Sequence, residues 1–185
     1  MSVYSQVRES LRLGTLKVLD EYFPTDALKN EAILYSHTNG TEPSKPYVVI
    51  QIVSANQVGR TSYSTLTDED ENLTIITQYE IVTQFSFCGS LAGDMAFDFN
   101  NAINNNVIMW EAFQKNKLAP LRKSTLRRLP IKRETQWIEY QNLDVTFSYA
   151  VKTTQKVDVV ERISVLGLGD TPDERIYIPP LPTSP

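Results

Sequence analysis

Residues 74–87, Thr-Ile-Ile-Thr-Gln-Tyr-Glu-Ile-Val-Thr-Gln-Phe-Ser-Phe, decide the fold. Ile75, Tyr79, Ile81, Phe85 and Phe87 take odd positions, while Gln78, Glu80, Gln84 and Ser86 take even ones. Side chains on a strand alternate between faces, so this pattern predicts a long strand with one buried side. Gly89-Ser90 follows and turns the chain into a predicted helix, with Ser90 as N-cap and Asp94 in the first turn, near the positive helix end. Leu91, Met95, Phe99 and Ile103 form its apolar stripe. Asn100, Asn101, Asn104, Asn105 and Asn106 are weak helix formers, because their amides compete for backbone hydrogen bonds. A break near 104–106 is expected, before Val107-Ile108-Met109-Trp110.

Upstream, residues 2–23 read as an amphipathic helix ended by Pro24, with Val3, Val7, Leu11, Leu16, Leu19 and Phe23 as its apolar positions. A short apolar run, Ala32 to Tyr35, precedes the turn-rich stretch Thr38 to Pro43. Tyr47 to Val53 is apolar on both parities, which predicts a central strand covered on both faces. Residues 57–66 are expected to form a further strand leading to the acidic tip Asp68, Glu69, Asp70 and Glu71.

Downstream, 118–131 reads as an extended piece broken by Pro120 and Pro130, and 134–141 as a strand. Residues 143–151 alternate cleanly, Leu143, Val145, Phe147, Tyr149 and Val151 against Asp144, Thr146, Ser148 and Lys152. A last strand is expected over 157–166. Residues 169–185 hold five of the ten prolines and no helical period. The expected organisation is one domain over 1–168 with a Pro-rich, mobile or partner-docked arm over 169–185. Helix, strands, helix and strands in that order indicate an α+β fold, a mainly antiparallel sheet with helices packed on one face.

Catalytic chemistry has no visible home in the sequence. One cysteine and one histidine among 185 residues exclude a disulfide framework and the usual multi-ligand zinc sites. Cys88 precedes a helix start, a place that can activate a thiol, yet free cysteines usually serve as small buried packing residues. Alkylation of the native protein separates these two readings. The acidic tip lacks the spaced D-x-D-x-D-G pattern of a calcium loop, and no phosphate-cradling glycine motif occurs. No metal and no cofactor are expected. The chain lacks a secretory leader and any run of about 18 apolar residues, so a soluble protein made in the cytoplasm and free of membrane is expected.

Charge is distributed more tellingly. The net charge is -4, yet no acid falls between Glu111 and Glu134, where Lys115, Lys117, Arg122, Lys123, Arg127, Arg128, Lys132 and Arg133 are gathered. Such a surface can meet an acidic partner or DNA phosphates. It can equally be a solvated strand edge, where cations discourage stray pairing. Against single-strand nucleic acid stands the lack of an aromatic platform within 115–133, whose nearest rings are Phe113 and Trp137. Acid at 68–71 and base at 115–133 would let like subunits pair head to tail, and such a contact makes a ring when its rotation closes.

Three stretches taken together resemble the phage neck or tail terminator family over roughly residues 30–166. They are NGTEPSKPYVVIQI, the strand YEIVTQFSFCG entering SLAGDMAFDFNNAI, and WIEYQNLDVTFSYAVKTTQKVDVVERISV. Trp137 and Glu139 match the family pattern, whereas Asn142 stands near an expected arginine and Glu161-Arg162-Ile163 gives a rearranged ending. The resemblance implies a non-enzymatic virion protein of the tail–neck junction. It would form a homo-oligomeric, hexameric ring that caps the tail tube, ends its polymerisation and offers a docking face to the neck. Expected partners are copies of itself, the tail-tube protein and a neck/connector or head-completion protein. DNA passing through the lumen without sequence specificity is a further candidate. Candidate subunit or tube contacts are Asp68, Glu69, Asp70, Glu71, Arg122, Lys123, Arg127, Arg128, Lys132 and Arg133. Alternatives are a connector adaptor between portal and tail, and a nucleic-acid-binding module.

Overall fold

The chain forms helix α1 (Val3–Tyr22), strands β1 (Ile33–Tyr35), β2 (Tyr47–Tyr63) and β3 (Asn72–Cys88), then helices α2 (Ala92–Asn105) and α3 (Val107–Gln114). Strands β4 (Leu118–Lys123), β5 (Arg127–Arg128), β6 (Ile131–Arg133), β7 (Gln136–Ile138), β8 (Tyr140–Lys156), β9 (Val165–Leu166) and β10 (Arg175–Ile176) follow. The computed structural model describes residues 2–22, 32–37, 42–43, 46–63, 72–105, 107–133, 135–156, 165–166 and 175–176. Within it the chain divides into two compact units: Met1–Ser62 with Ile76–Lys152, and Tyr63–Ile75 with Thr153–Pro185. In the second unit β9 and β10 pair antiparallel, Val165 opposite Ile176 and Leu166 opposite Arg175.

The first unit shows why the alternating stretch governs the fold. The sheet runs β1-β2-β3-β8-β4, with β5 also on β8, and β3 is its middle strand. It is mainly antiparallel; β1 pairs parallel with β2, Ile33 opposite Val48. Ile81, Phe85 and Phe87 of β3 and Leu143, Val145, Phe147 and Tyr149 of β8 are buried, so the odd positions of both strands share one covered face. The helices cover that face. Phe99 of α2 lies 4.9 Å from Phe85 and 5.5 Å from Phe87, and Phe113 of α3 lies 5.0 Å from Phe147. Phe85 and Phe147 meet edge-on at 6.2 Å, which links the two helices through the sheet. Tilted and edge-on ring pairs contribute about 0.5–1.5 kcal/mol each beyond burial. The helix-on-one-face α+β architecture read from the sequence is the one present.

Helix α1 joins this layer along a face shifted from the expected one. Val7, Leu11, Gly14, Thr15, Val18 and Leu19 are buried, while Leu16 is half-buried and Val3 is exposed. Thr15 fits inside because its hydroxyl donates to the Leu11 carbonyl at 2.7 Å, which satisfies its polarity within the helix. Phe23 lies outside the described residues.

Other differences are local. Tyr47, Val48 and Ile50 are buried, but Val53 is 56% exposed, so the two-sided cover ends within the first turns of β2. The strand then continues without interruption to Tyr63, where a separate element from 57 was expected. Its polar residues face solvent, and Gly59 takes φ 69°, a conformation glycine adopts without strain. The ladder of β4 on β8 shifts register between Pro120 and Arg122, as a proline without an N–H dictates. Helix α2 ends at Asn105 and α3 begins at Val107, the break the asparagine run predicts. Most of the expected 157–166 strand and of the 169–185 arm lies outside the described residues.

Thr83 stands on the covered face of β3, fully buried, with no hydrogen-bond partner for its Oγ1 among the described residues. An unmatched buried hydroxyl costs about 1–3 kcal/mol. Thr83→Val is therefore expected to raise stability by about 1 kcal/mol, read as a higher denaturation midpoint with unchanged slope.

Candidate assembly surface

The face of the sheet opposite the helices is charged, and its charges are organised. Positions 80 and 84 of β3 and 144 of β8 bring Glu80, Gln84 and Asp144 to this side, because even positions point away from the core. Strands β4 and β5 bring arginines to the same side. Arg122 Nη2 meets Glu80 Oε2 at 2.6 Å, reaching over β8. Arg127 pairs with Asp144, whose other oxygen accepts from Gln84 Nε2 at 3.0 Å.

Arg128, directly opposite Gln141, lies on the other side of the ladder and places its Nε 3.3 Å from Glu139 Oε1. Glu139 also accepts from Gln141 and sits by the first turn of α2, where a Cβ on Gly93 would be 3.6 Å away. A carboxylate near a helix N-terminus is favourably placed. Lys115 has Glu111 at 3.9 Å one turn back in α3.

Half of the basic stretch is thus paired from within. Four of its members face carboxylates of their own chain, supplied partly by strands far away in sequence. Lys123 Nζ donates to the Asn100 carbonyl, and burial lowers its pKa. Lys132 is exposed opposite Trp137 on the β6–β7 hairpin, and Trp137 itself is 69% exposed. Leu121, Leu129 and Ile131 are also exposed along this edge. Of the remaining candidates, Arg133 belongs to β6, and Asp68, Glu69, Asp70 and Glu71 lie outside the described residues.

Two of the open clefts beside α1 also border β2. One, of about 200 Å³, is lined by Val3, Tyr4, Val7, Tyr79, Ile81 and Tyr149, with Ile52 and Ala55 of β2. The other, of about 420 Å³, is polar and contains Arg8, Ser36, His37 and Gln51. Arg8 stacks on Tyr35 at 3.9 Å and lies 5.7 Å from the Tyr4 ring, and Tyr35 Oη donates to the Arg8 carbonyl at 2.6 Å. The Tyr4/Arg8 spacing of four residues on a helix was the only sequence trace of this cluster.

Burial pushes the Tyr35 pKa up to about 12 and also raises those of Tyr47 and Tyr149. Tyr47 is held further by hydrogen bonding with Cys88, Tyr140 and Glu42. A phenol whose folded pKa is raised stabilises the fold below its unfolded pKa of about 10 and loses that contribution as pH climbs toward the folded value. Stability is therefore expected to fall between pH 10 and 12, with Tyr35→Phe flattening part of the fall. Denaturation midpoints measured across that range check it.

Cys88 is wholly buried at the end of β3, and His37 is exposed in the turn after β1 at φ 62°. Among the described residues no group of His, Cys, Asp and Glu is placed to hold a metal ion, and no helix is long and apolar enough to cross a membrane.

Fold and surface define a class: an α+β domain that buries one sheet face under helices and presents an ion-paired face outward. A family model of phage neck terminator proteins matches residues 2–172, and the chain belongs to that family. The match extends beyond the three stretches of the sequence pattern to include α1. No curated protein matches the chain. Membership makes it a structural protein of the phage tail–neck region and implies contact with other tail and neck proteins.

Proposed function

We propose that the chain forms a closed ring of six copies that caps the tail tube, ends its polymerisation and offers a docking face to the head or neck. The family match over residues 2–172 carries this reading. The outward sheet face supports it, since paired charges presented on a rigid sheet set partner choice and register more than raw affinity. A terminator must bind the tube end without copying it, and two unlike ring faces would supply that asymmetry. The protein performs no catalysis in this reading.

Native mass spectrometry of the purified chain, alone and with tail-tube subunits, tests it. Six-copy mass and a stable complex with the tube are expected; a monomer at every concentration, indifferent to the tube, rejects it. A connector adaptor joining portal to tail would bind purified portal instead. The DNA-binding reading is weakened by the internal carboxylate partners of Lys115, Arg122, Arg127 and Arg128. It predicts an affinity that falls steeply with salt.

In the ring, the acidic 68–71 segment and the basic 115–133 edge meet across subunits. R127E/R128E is expected to reduce the ring population strongly. Losing the two exposed ion pairs costs the fold only about 0–1 kcal/mol each, but the reversal also sets like charges beside Asp144 and Glu139. R127A/R128A, which removes the cations without that repulsion, should weaken the ring with little change in melting temperature. Unchanged oligomer mass and tail length in these variants would reject the contact.

A further inference from the structure

We propose that the apolar cleft beside α1 receives the segment Tyr177-Ile178-Pro179-Pro180-Leu181-Pro182 of a second copy of this chain; the inference rests on the ring reading, which supplies the neighbour. The cleft is about 200 Å³, smaller than the roughly 300–1,000 Å³ of pockets that hold metabolite-sized ligands. It suits a few side chains of a peptide. Its walls are aliphatic apart from three tyrosines, Tyr4, Tyr79 and Tyr149, and no charged residue lines it.

The proposed occupant has matching chemistry. Residues 177–182 carry no charge and combine Tyr177, Ile178 and Leu181 with three prolines. Such segments adopt the polyproline II helix, which is extended and loses little entropy on binding, and aromatic-lined grooves are its usual receptors. Any six residues in that conformation span roughly 19 Å, enough to lie along a neighbouring subunit. An acidic peptide would be drawn instead to the adjoining polar cleft with Arg8, so the neutrality of the segment favours the apolar one.

Paired cysteines test the contact in the full chain. Ala55 is exposed at the cleft rim, and Leu181 is central in the segment, while the native Cys88 is buried and stays out of the reaction. Mild oxidation of A55C/L181C is expected to give a ladder of covalent multimers on a denaturing gel, lost on reduction. A mixture of the two single variants should give dimers only. A circularised monomer would show that the chain seats its own segment, and no cross-link would leave the cleft to another partner; either overturns the proposal. I178D/L181D is expected to weaken subunit association by roughly tenfold or more. The native mass of the unmodified chain reports the ring separately: six copies without a ladder reject the segment contact alone. A ladder that stops at two with a native dimer rejects the ring alone.

Discussion

Phe85→Ala is expected to lower folding stability by about 3–5 kcal/mol, the usual cost of emptying a fully buried phenylalanine site. Phe85 has no exposure, and its ring touches Phe99 on α2 and Phe147 on β8, so its loss opens a void between two layers. Neither layer can collapse into that void freely, because Phe87 and Phe113 hold the flanking rings. Against a total stability of about 5–15 kcal/mol, the loss is a large fraction, and the melting temperature should drop by roughly 10 °C. Phe97 provides the control. It lies on α2 with 59% exposure, and Phe97→Ala should stay within about 0.5 kcal/mol of the parent. Chemical denaturation of both variants at one protein concentration decides the matter; similar midpoints would refute the packing assignment.

Gly14→Ala is expected to destabilise, although the same change in an ordinary helix interior stabilises by about 1 kcal/mol. A Cβ at position 14 would lie 2.6 Å from both Cδ1 and Cε1 of Phe113, a separation that real side chains do not tolerate. The ring cannot swing away, since it is fully buried and packed 5.0 Å from Phe147. Overpacking of this kind costs about 1–3 kcal/mol, enough to reverse the sign of the helix preference. Gly14→Ala combined with Phe113→Leu should recover part of the loss, giving a coupling energy of about 0.5 kcal/mol or more between neighbours. Additive effects in that cycle would show that α1 and α3 do not meet at this point.

Gly14 also marks the limit of what patterning reveals. The strands β3 and β8 were legible because each presents one covered face, and period-two alternation reports that directly. The face of α1 was legible only in outline. Its contact with α3 runs through Gly14, and Thr15 beside it is buried, residues that no hydrophobic stripe includes, while Leu16 drew attention from a half-buried position. The α2–α3 break was legible because asparagine has a specific reason to leave a helix.

The basic stretch was visible as a count of charges, but its partners Glu80, Glu139 and Asp144 were not. They reach it by cross-strand pairing, which depends on strand order and register rather than on local spacing. The cleft was hidden for the same reason, since its tyrosines come from α1, β3 and β8.

The phenylalanine cluster has a consequence for synthesis on the ribosome. Phe85 and Phe99 emerge well before Phe147, the ring that closes the cluster from β8. Until that late strand is made, the apolar sides of β3 and α2 must wait uncovered, in the long-range-pairing regime that folds slowly and exposes sticky surface. A translational pause between α3 and β8 would prolong that vulnerable interval, whereas one after β8 would leave the nascent domain free to close.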